Sequence, residues 1–385
     1  MIRILFNKFK KLDMAILFIL ILLMIGSFFI IRSAIHGEAR YDNYDYKTLI
    51  FYGAGFFVAI LTVLFDYRLL LKTWYISYGI GIVLLVAVYF FAPPINNARS
   101  WFELPGGLLF QPAELMKILL IIALAYWIGR REGSPLLFTS DLLPIALVAL
   151  LPFMLVMIQP DLGNAIIYLV ILLGMLWIGN VKYSHVLIGL VTIIAMLMLF
   201  VSLFETYNAE IKTYLQEKDK THWYQRINTF IHPDTATNDE KHQSRNAMIA
   251  IGSGGLAGDG YLQGDSKNGR FIPYPYSDSI FVVIGEEFGF QGAALLLLLY
   301  FLLIYRMIII SFQCYDMRGS FIIIGIASMF VFQIFQNIGM MIGIMPITGI
   351  TLPFVSYGGT SLLINMICIG IVFSIRAHQV KPEGA

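Results

Sequence analysis

The sequence predicts an all-α polytopic membrane protein, with about ten transmembrane helices and a large extracytoplasmic loop between spans seven and eight. Three observations carry this. Of 385 residues, 58% are hydrophobic and only 13% charged, with a mean hydropathy of +0.77, whereas soluble domains are about a quarter charged. Apolar runs long enough to cross a hydrocarbon core of roughly 30 Å recur along the chain. The runs are continuous rather than alternating, which excludes a β-barrel and leaves helices, the other spanning structure that satisfies its own backbone.

By length and apolarity the spans fall near 14–33, 48–65, 73–92, 113–129, 143–158, 164–180, 184–204, 279–305, 320–343 and 361–376. The segment from Met14 to Ala34 follows Arg3, Lys8, Lys10 and Lys11. It is longer than a signal peptide's apolar region and lacks an A-x-A site, so it reads as an uncleaved first span. With the N-terminus inside, the cytoplasmic side receives those four residues and Arg68, Lys72, Arg130, Arg131, Lys182, Arg306, Arg318, Arg376 and Lys381. Short outer loops and span edges hold only Arg32, Arg40, Lys47 and Arg99. Both termini are therefore expected in the cytoplasm. Residues 1–385 read as a single transmembrane domain. A net charge of +2 makes no case for a nucleic-acid partner, the two cysteines imply no disulfide framework, and none of the six histidines has zinc-ligand spacing.

The 205–278 segment breaks the pattern of short loops, and loops of this length are functional or disordered. In "IKTYLQEKDKTHWYQRINTFI" (211–231), apolar and aromatic residues mixed with Lys and Arg suit a helix at headgroup level, with Trp223 and Tyr224 as anchors. "RNAMIAIGSGG" reads as a short helix ending in a Gly-rich turn.

Asp278 precedes the apolar run "SIFVV". It fits two compatible roles: a helix N-cap, and a general base whose proton affinity is raised by apolar surroundings. Glu286 and Glu287 follow inside the expected span, where acids face a cavity or a partner. Glu286 lies about 12 Å along the axis from Asp278, too far for a paired-acid mechanism. "QPAELMK" (111–117) places Glu114 and Lys117 three residues apart on one helix face. They form either a structural ion pair or part of a polar cavity that meets an anionic substrate. Arg99 and Trp101 precede them as a phosphate contact and an interfacial anchor. "IQPDLGNA" (158–165) is a tight outer turn in which Asp161 can cap the next helix. The Gly-rich stretches "GSGGLAGDG" and "PFVSYGGTS", with Ser253, Gly254, Gly255, Ser356, Gly358 and Gly359, are turns or anion-binding nests. Physics alone stops at an outward polar cavity suited to an anionic, partly lipidic substrate.

Taken in order, "ARSWFELPGGLLFQPAELMK", "QPDLGNA", "YQRINTFIHP", "AIGSGGLAGDG", "FIPYPYSDSIFVVIGEEFGF" and "GIMPITGITLPFVSYGGTSLL" resemble the SEDS family (shape, elongation, division and sporulation), across nearly the whole chain and most in its RodA branch. The resemblance implies a peptidoglycan glycosyltransferase of the bacterial plasma membrane. Such enzymes polymerise lipid II at the outer face for elongation and rod shape, beside a monofunctional class B penicillin-binding transpeptidase and other elongation-complex membrane proteins. The family's essential loop acid falls on Asp278. Inversion at an anomeric carbon needs one base, and the leaving pyrophosphate needs cations or N–H donors. Candidates are Lys117 held by Glu114, then Arg99, Arg226, Gln111 and Gln243. No cofactor is firmly implied, although a divalent cation (Mg or Mn) can assist.

The chain also departs from the family. Tyr274 follows Pro273 where members often have Glu. Of His242, Gln243, Asn246 and Ala247 only Gln243 matches the usual pattern, and Asp259-Gly260 replaces Lys-Gly. A lipid II transporter using the same cavity, a non-catalytic scaffold, or a division or sporulation polymerase fits the same motifs.

Overall fold

A computed structural model describes residues 11–38, 41, 43–94, 99–104, 108–217, 224, 228, 238–269 and 271–379. Its helices are α1 (Met14–Ala34), α2 (Tyr44–Leu64), α3 (Tyr67–Lys72), α4 (Trp74–Phe91), α5 (Pro112–Gly129), α6 (Leu143–Ile158), α7 (Leu162–Ile178), α8 (Tyr183–Thr206), α9 (Asn208–Glu217), α10 (Asn238–Ser253), α11 (Asp265–Asn268), α12 (Ile280–Phe312), α13 (Met317–Met341) and α14 (Gly359–Ala377). Among the described residues eight helices are long and apolar enough to cross a membrane, and α7 and α8 coincide with the sixth and seventh expected spans. The protein is a polytopic all-α membrane protein.

Local chemistry sets the helix starts. Asp13 accepts from the N–H groups of Ala15 and Ile16 (both 3.1 Å), Asp66 from Arg68 (2.9 Å) and Asp316 from Arg318 (3.0 Å). Pro112 opens α5, where a missing N–H costs nothing. At the start of α1, the buried Asp13 also binds Arg306 (2.5 Å) and Arg376, tying together α1, α12 and α14.

Burial sorts the helices into two layers. About three quarters of α5, α13 and α14 is buried (78, 72 and 72%), against a third or less of α1, α2, α4, α6 and α12. The first three form the interior, and the others turn apolar faces outward, as lipid allows. In lipid, close approach through small residues replaces hydrophobic collapse as the packing device. Thus α14 lies against α2 at Gly370, where a Cβ would stand 2.8 Å from Thr62 Cβ and 2.9 Å from the Ala59 carbonyl.

Two features differ from expectation. Phe102–Leu104 (β1) and Leu108–Phe110 (β2) form a small antiparallel hairpin before α5, which the sequence reading did not contain. The eighth span is also not one helix: Gly289 has φ 60° and ψ −156°, which breaks α12. The break divides α12 into a first piece, buried from Ile280 through Glu287, and the helix from Phe290 to Phe312. Glu286 and Glu287 sit on the first piece, where Ser33, near the C-terminal end of α1, donates to Glu287 (2.6 Å).

The break frees backbone groups, and the Gly-rich loop satisfies them. The carbonyls of Glu286 and Glu287 accept from Asp259 N (3.0 Å) and Gly260 N (3.1 Å), while the N–H groups of Phe290 and Gln291 donate to Gly255 O (2.9 Å) and Leu256 O (3.2 Å). Side chains at 254 or 258 would strike the backbone of residues 285–288. The loop is a clasp on a broken helix.

Candidate active site

Asp278 lies in the turn that leads into α12. Its expected cap role is not seen: Ser279 occupies the N-cap position, without a side-chain cap bond. The turn is instead held from three sides. Ser356 Oγ donates to Ser277 O (2.6 Å) and accepts from Leu352 N (2.9 Å), and Tyr357 N donates to Tyr276 O (2.9 Å). Asn337, near the C-terminal end of α13, donates through Nδ2 to Asp278 O (2.8 Å) and Ile350 O (2.7 Å). The backbone is pinned while the carboxyl keeps a buried Oδ1 without a hydrogen-bond partner. Burial pushes its pKa up from 3.8 to about 6, offset only in part by the N–H groups of Asp278 and Ser279. Near neutrality such a group is ionised yet basic, as a general base requires.

A second polar group sits at the start of α5. Lys117 Nζ is 2.7 Å from Glu114 Oε2, with side-chain exposures of 0 and 7%. An ammonium this deep is tolerable only when paired. One turn away, Asp161 accepts from Gln111 Nε2 (2.6 Å) and from Asn164 Nδ2 (2.9 Å) and N (3.2 Å). Burial raises the Asp161 pKa; the Asn164 bonds lower it, Glu114 raises it further and Lys117 opposes that rise. Ser100 Oγ donates to Gln159 O (3.3 Å), which brings exposed Arg99 and half-buried Trp101 beside this turn.

Residues 348–350 join the two groups. A Cβ on Gly163 would meet Ile350 at 2.7 Å and Thr348 at 3.2 Å, and one on Gly349 would stand 3.9 Å from Asp278 Oδ2. The loop that carries Gly349 (φ 72°) is thus the wall between Asp278 and the Asp161–Gln111–Glu114–Lys117 network.

The other expected site residues separate by role. Ser253, Gly254 and Gly255 belong to the clasp on α12. Glu286 Oε1 accepts from Ser266 N (2.6 Å). Gly358 precedes α14 in extended backbone, and Gly359 closes against the Phe51 ring. Gln243 is half-buried on α10. Arg226 and Trp223 lie outside the described residues, whereas Tyr224 stacks near Phe204 and donates to Asn208 Oδ1 (2.8 Å). No group of three or more His, Cys, Asp or Glu residues among the described ones is disposed to hold a metal ion.

Sequence reasoning missed Asn337 and Lys267. Asn337 had a signal, since Gln333, Gln336 and Asn337 interrupt an otherwise apolar span, where polar residues are expensive. Lys267 had none. It is a loop residue that becomes buried only because Glu287 (2.6 Å) and Ser33 (2.9 Å) converge on its ammonium.

Comparison with known proteins places this architecture. The family described as Cell cycle protein, which groups FtsW, RodA and SpoVE, matches residues 12–381. The chain is 30% identical to Stage V sporulation protein E of Bacillus subtilis, covering 94% of this chain and 95% of the relative. It is 30% identical to Peptidoglycan glycosyltransferase RodA of Treponema pallidum, covering 95 and 97%. It is 34% identical to Peptidoglycan glycosyltransferase MrdB of Escherichia coli K12, covering 78 and 77%. Among solved structures, the Rod shape determining protein RodA of Thermus thermophilus superposes with a TM-score of 0.68 at 27% identity, covering 96 and 98%. A chain from "Structural coordination of polymerization and crosslinking by a peptidoglycan synthase complex" gives 0.76 at 27%, covering 96 and 99%. From its first span to the end of α14, this multi-pass membrane protein belongs to the FtsW/RodA/SpoVE family of cell cycle proteins.

Proposed function

We propose that this protein is an inverting peptidoglycan glycosyltransferase that polymerises lipid II at the outer face of the bacterial plasma membrane, with both termini in the cytoplasm. The observation that carries the reading is Asp278: one carboxyl, pinned through its backbone, half-buried, with a pKa raised to about 6. The family relatives named as peptidoglycan glycosyltransferases support the reaction class.

In this reaction Asp278 takes the proton of the acceptor sugar's hydroxyl as that oxygen attacks the anomeric carbon of the donor. The bond from that carbon to the pyrophosphate oxygen breaks, the configuration inverts, and undecaprenyl pyrophosphate leaves with the electron pair. A single displacement needs no second carboxylate. Among the described residues, Arg99, exposed beside the Asp161 turn, is the candidate cation that can meet the leaving group. Lys117 has no exposed surface and acts from beneath, holding Glu114 and the Asp161–Gln111 turn.

Similarity to the chain from the synthase complex supports a class B penicillin-binding transpeptidase as partner. The RodA relative and the RodA structure favour an elongation role, alongside other elongation-complex membrane proteins. The test supplies purified protein with lipid II in detergent, with and without that transpeptidase. Glycan strands from wild type and none from Asp278→Asn are expected. Full polymerisation by folded Asp278→Asn removes the base assignment. Lipid II translocation in vesicles without any polymer favours a transporter. Restoration of rod shape in elongation-deficient cells, against restoration of septation, separates the cellular roles.

A further inference from the structure

Between α13 and α14 the chain runs without helix from Ile342 to Gly358, and residues 352–356 of this stretch are buried. Irregular backbone in a membrane protein has to find its partners within the protein. Every carbonyl from Leu352 to Val355 does so. Leu352 O accepts from Val355 N (3.2 Å) and Ser356 N (3.0 Å). The next three are met by buried hydroxyls from three different helices. Tyr300 of α12 donates to Pro353 O (2.5 Å), Tyr52 of α2 to Phe354 O, and Ser27 of α1 to Val355 O (2.7 Å). Phe354 holds a left-handed φ of 61° in this turn, a conformation that bulky residues keep only where their surroundings dictate it. Its ring is buried edge-on against Phe330 at 5.3 Å.

The two residues after the turn hold the segment that carries Asp278. Ser356 Oγ donates to Ser277 O (2.6 Å), and Tyr357 N to Tyr276 O (2.9 Å). The Tyr357 ring also stacks on Tyr44, at the start of α2, at 4.1 Å.

Tyr300 thereby closes a circuit across the break in α12. From Asp278 the chain runs through the first piece of α12, passes Gly289 and reaches Tyr300 about three turns further on. From Tyr300 the contacts return through Pro353 and Ser356 to Ser277, one residue before Asp278. With the circuit closed, the helix beyond the break and the Asp278 turn keep one separation. With it open, that separation depends on the clasp at residues 254–260 and on Asn337. Tyr300 is only 2% exposed, so its hydroxyl meets no substrate and acts on the reaction through the turn. A reacting group misplaced by about 1 Å loses on the order of 100-fold in rate.

We propose that Tyr300 is a positioning residue for glycosyl transfer, fixing the Asp278 turn through the Pro353 carbonyl and the Ser356 hydroxyl. The proposal rests on the glycosyltransferase reading. Tyr52 and Ser27 brace the neighbouring carbonyls, and Tyr300 is the member that spans the break.

The experiment compares full-length wild type, Tyr300→Phe, Ser27→Ala and Ser311→Ala in detergent. Tyr300→Phe keeps the ring and removes the hydroxyl. Ser27→Ala frees Val355 O by a smaller change and carries the test if Tyr300→Phe does not fold. Ser311→Ala is the control: it removes a buried hydroxyl from the far end of the same helix, where it pairs with Ser320 (2.7 Å). With lipid II, turnover is expected to fall at least tenfold in Tyr300→Phe while KM changes less than twofold. The acid limb of its pH profile moves below the wild-type position near pH 6, because a turn that yields admits water to the carboxyl. A second readout needs no turnover: reaction of the protonated Asp278 carboxyl with dicyclohexylcarbodiimide, followed against pH by mass spectrometry. Its midpoint is expected to fall by about half a pH unit or more in Tyr300→Phe, in the same direction in Ser27→Ala, and not in Ser311→Ala. Turnover and midpoints equal to wild type in folded Tyr300→Phe overturn the proposal. So does a loss of turnover that Ser311→Ala reproduces in proportion to its fall in Tm, which makes Tyr300 a stabilising residue only. A labelling shift in a protein that makes no glycan removes the glycosyltransferase reading and keeps Tyr300 as the residue that places Asp278. An active enzyme indifferent to Tyr300→Phe does the reverse.

Discussion

Replacing Asp278 by Asn should make the protein more stable while abolishing its activity. Burial raises the Asp278 pKa from 3.8 to about 6, so the folded state binds this proton more tightly than the unfolded chain does. Where the unfolded state holds fewer protons, stability falls as pH rises. The loss sets in near pH 4, is complete a little above pH 6, and amounts to about 3 kcal/mol at about 1.4 kcal/mol per tenfold. Asn has the same shape but carries no charge to desolvate. At pH 7 the variant should therefore gain up to about 3 kcal/mol, a rise of several °C in Tm. At pH 4 to 4.5, where Asp278 is largely protonated in the folded state, most of that gain should vanish. Thermal unfolding in detergent, followed by a thiol-reactive dye that reports exposure of the buried Cys368, reads both arms at a fixed scan rate. An Asn variant that is less stable than wild type at pH 7, or a gain independent of pH, would refute the claim that burial strains this carboxyl.

Polymerisation by wild type should fall about tenfold between pH 7 and pH 5 as a base of pKa about 6 is protonated; a flat single-turnover profile over that range contradicts it. Lys117→Met should cost about 3–5 kcal/mol by stranding Glu114 in the interior, and adding Glu114→Gln should recover most of the loss in the same melting assay. Asn337→Leu removes the donors to Asp278 O and Ile350 O, at about 1–3 kcal/mol. It should lower turnover more than it raises KM, and unchanged turnover would show that the turn holds without Asn337. Gly289→Ala places a Cβ against the clasp at a φ of 60°, and it should yield protein whose 254–260 loop is open to proteolysis.

The ten spans were legible because lipid leaves the backbone no alternative to a helix, so apolar length alone locates each crossing. Asp161 announced a helix start through local cap chemistry that needs no tertiary contact. Asp278 was legible as a chemically competent acid, but its reason for being so was not. The same residue read equally well as an N-cap, and only the neighbouring Ser279, Asn337, Ser356 and Gly349 decided against that.

Composition, apolar run length and basic-residue asymmetry determined by themselves that the chain crosses a membrane repeatedly and carries its polar chemistry at the helix mouths. These are one-dimensional properties, fixed by the solvent the chain must enter. Tertiary structure decided how that chemistry is assembled. It cut α12 at Gly289, set Glu286 and Glu287 on the piece before the break, and buried a loop lysine between Glu287 and Ser33. It also brought residues 348–350 between Asp278 and the Glu114–Lys117 pair. Each of these depends on partners some 20 to 250 positions apart in sequence, whose meeting is set by packing rather than by local pattern.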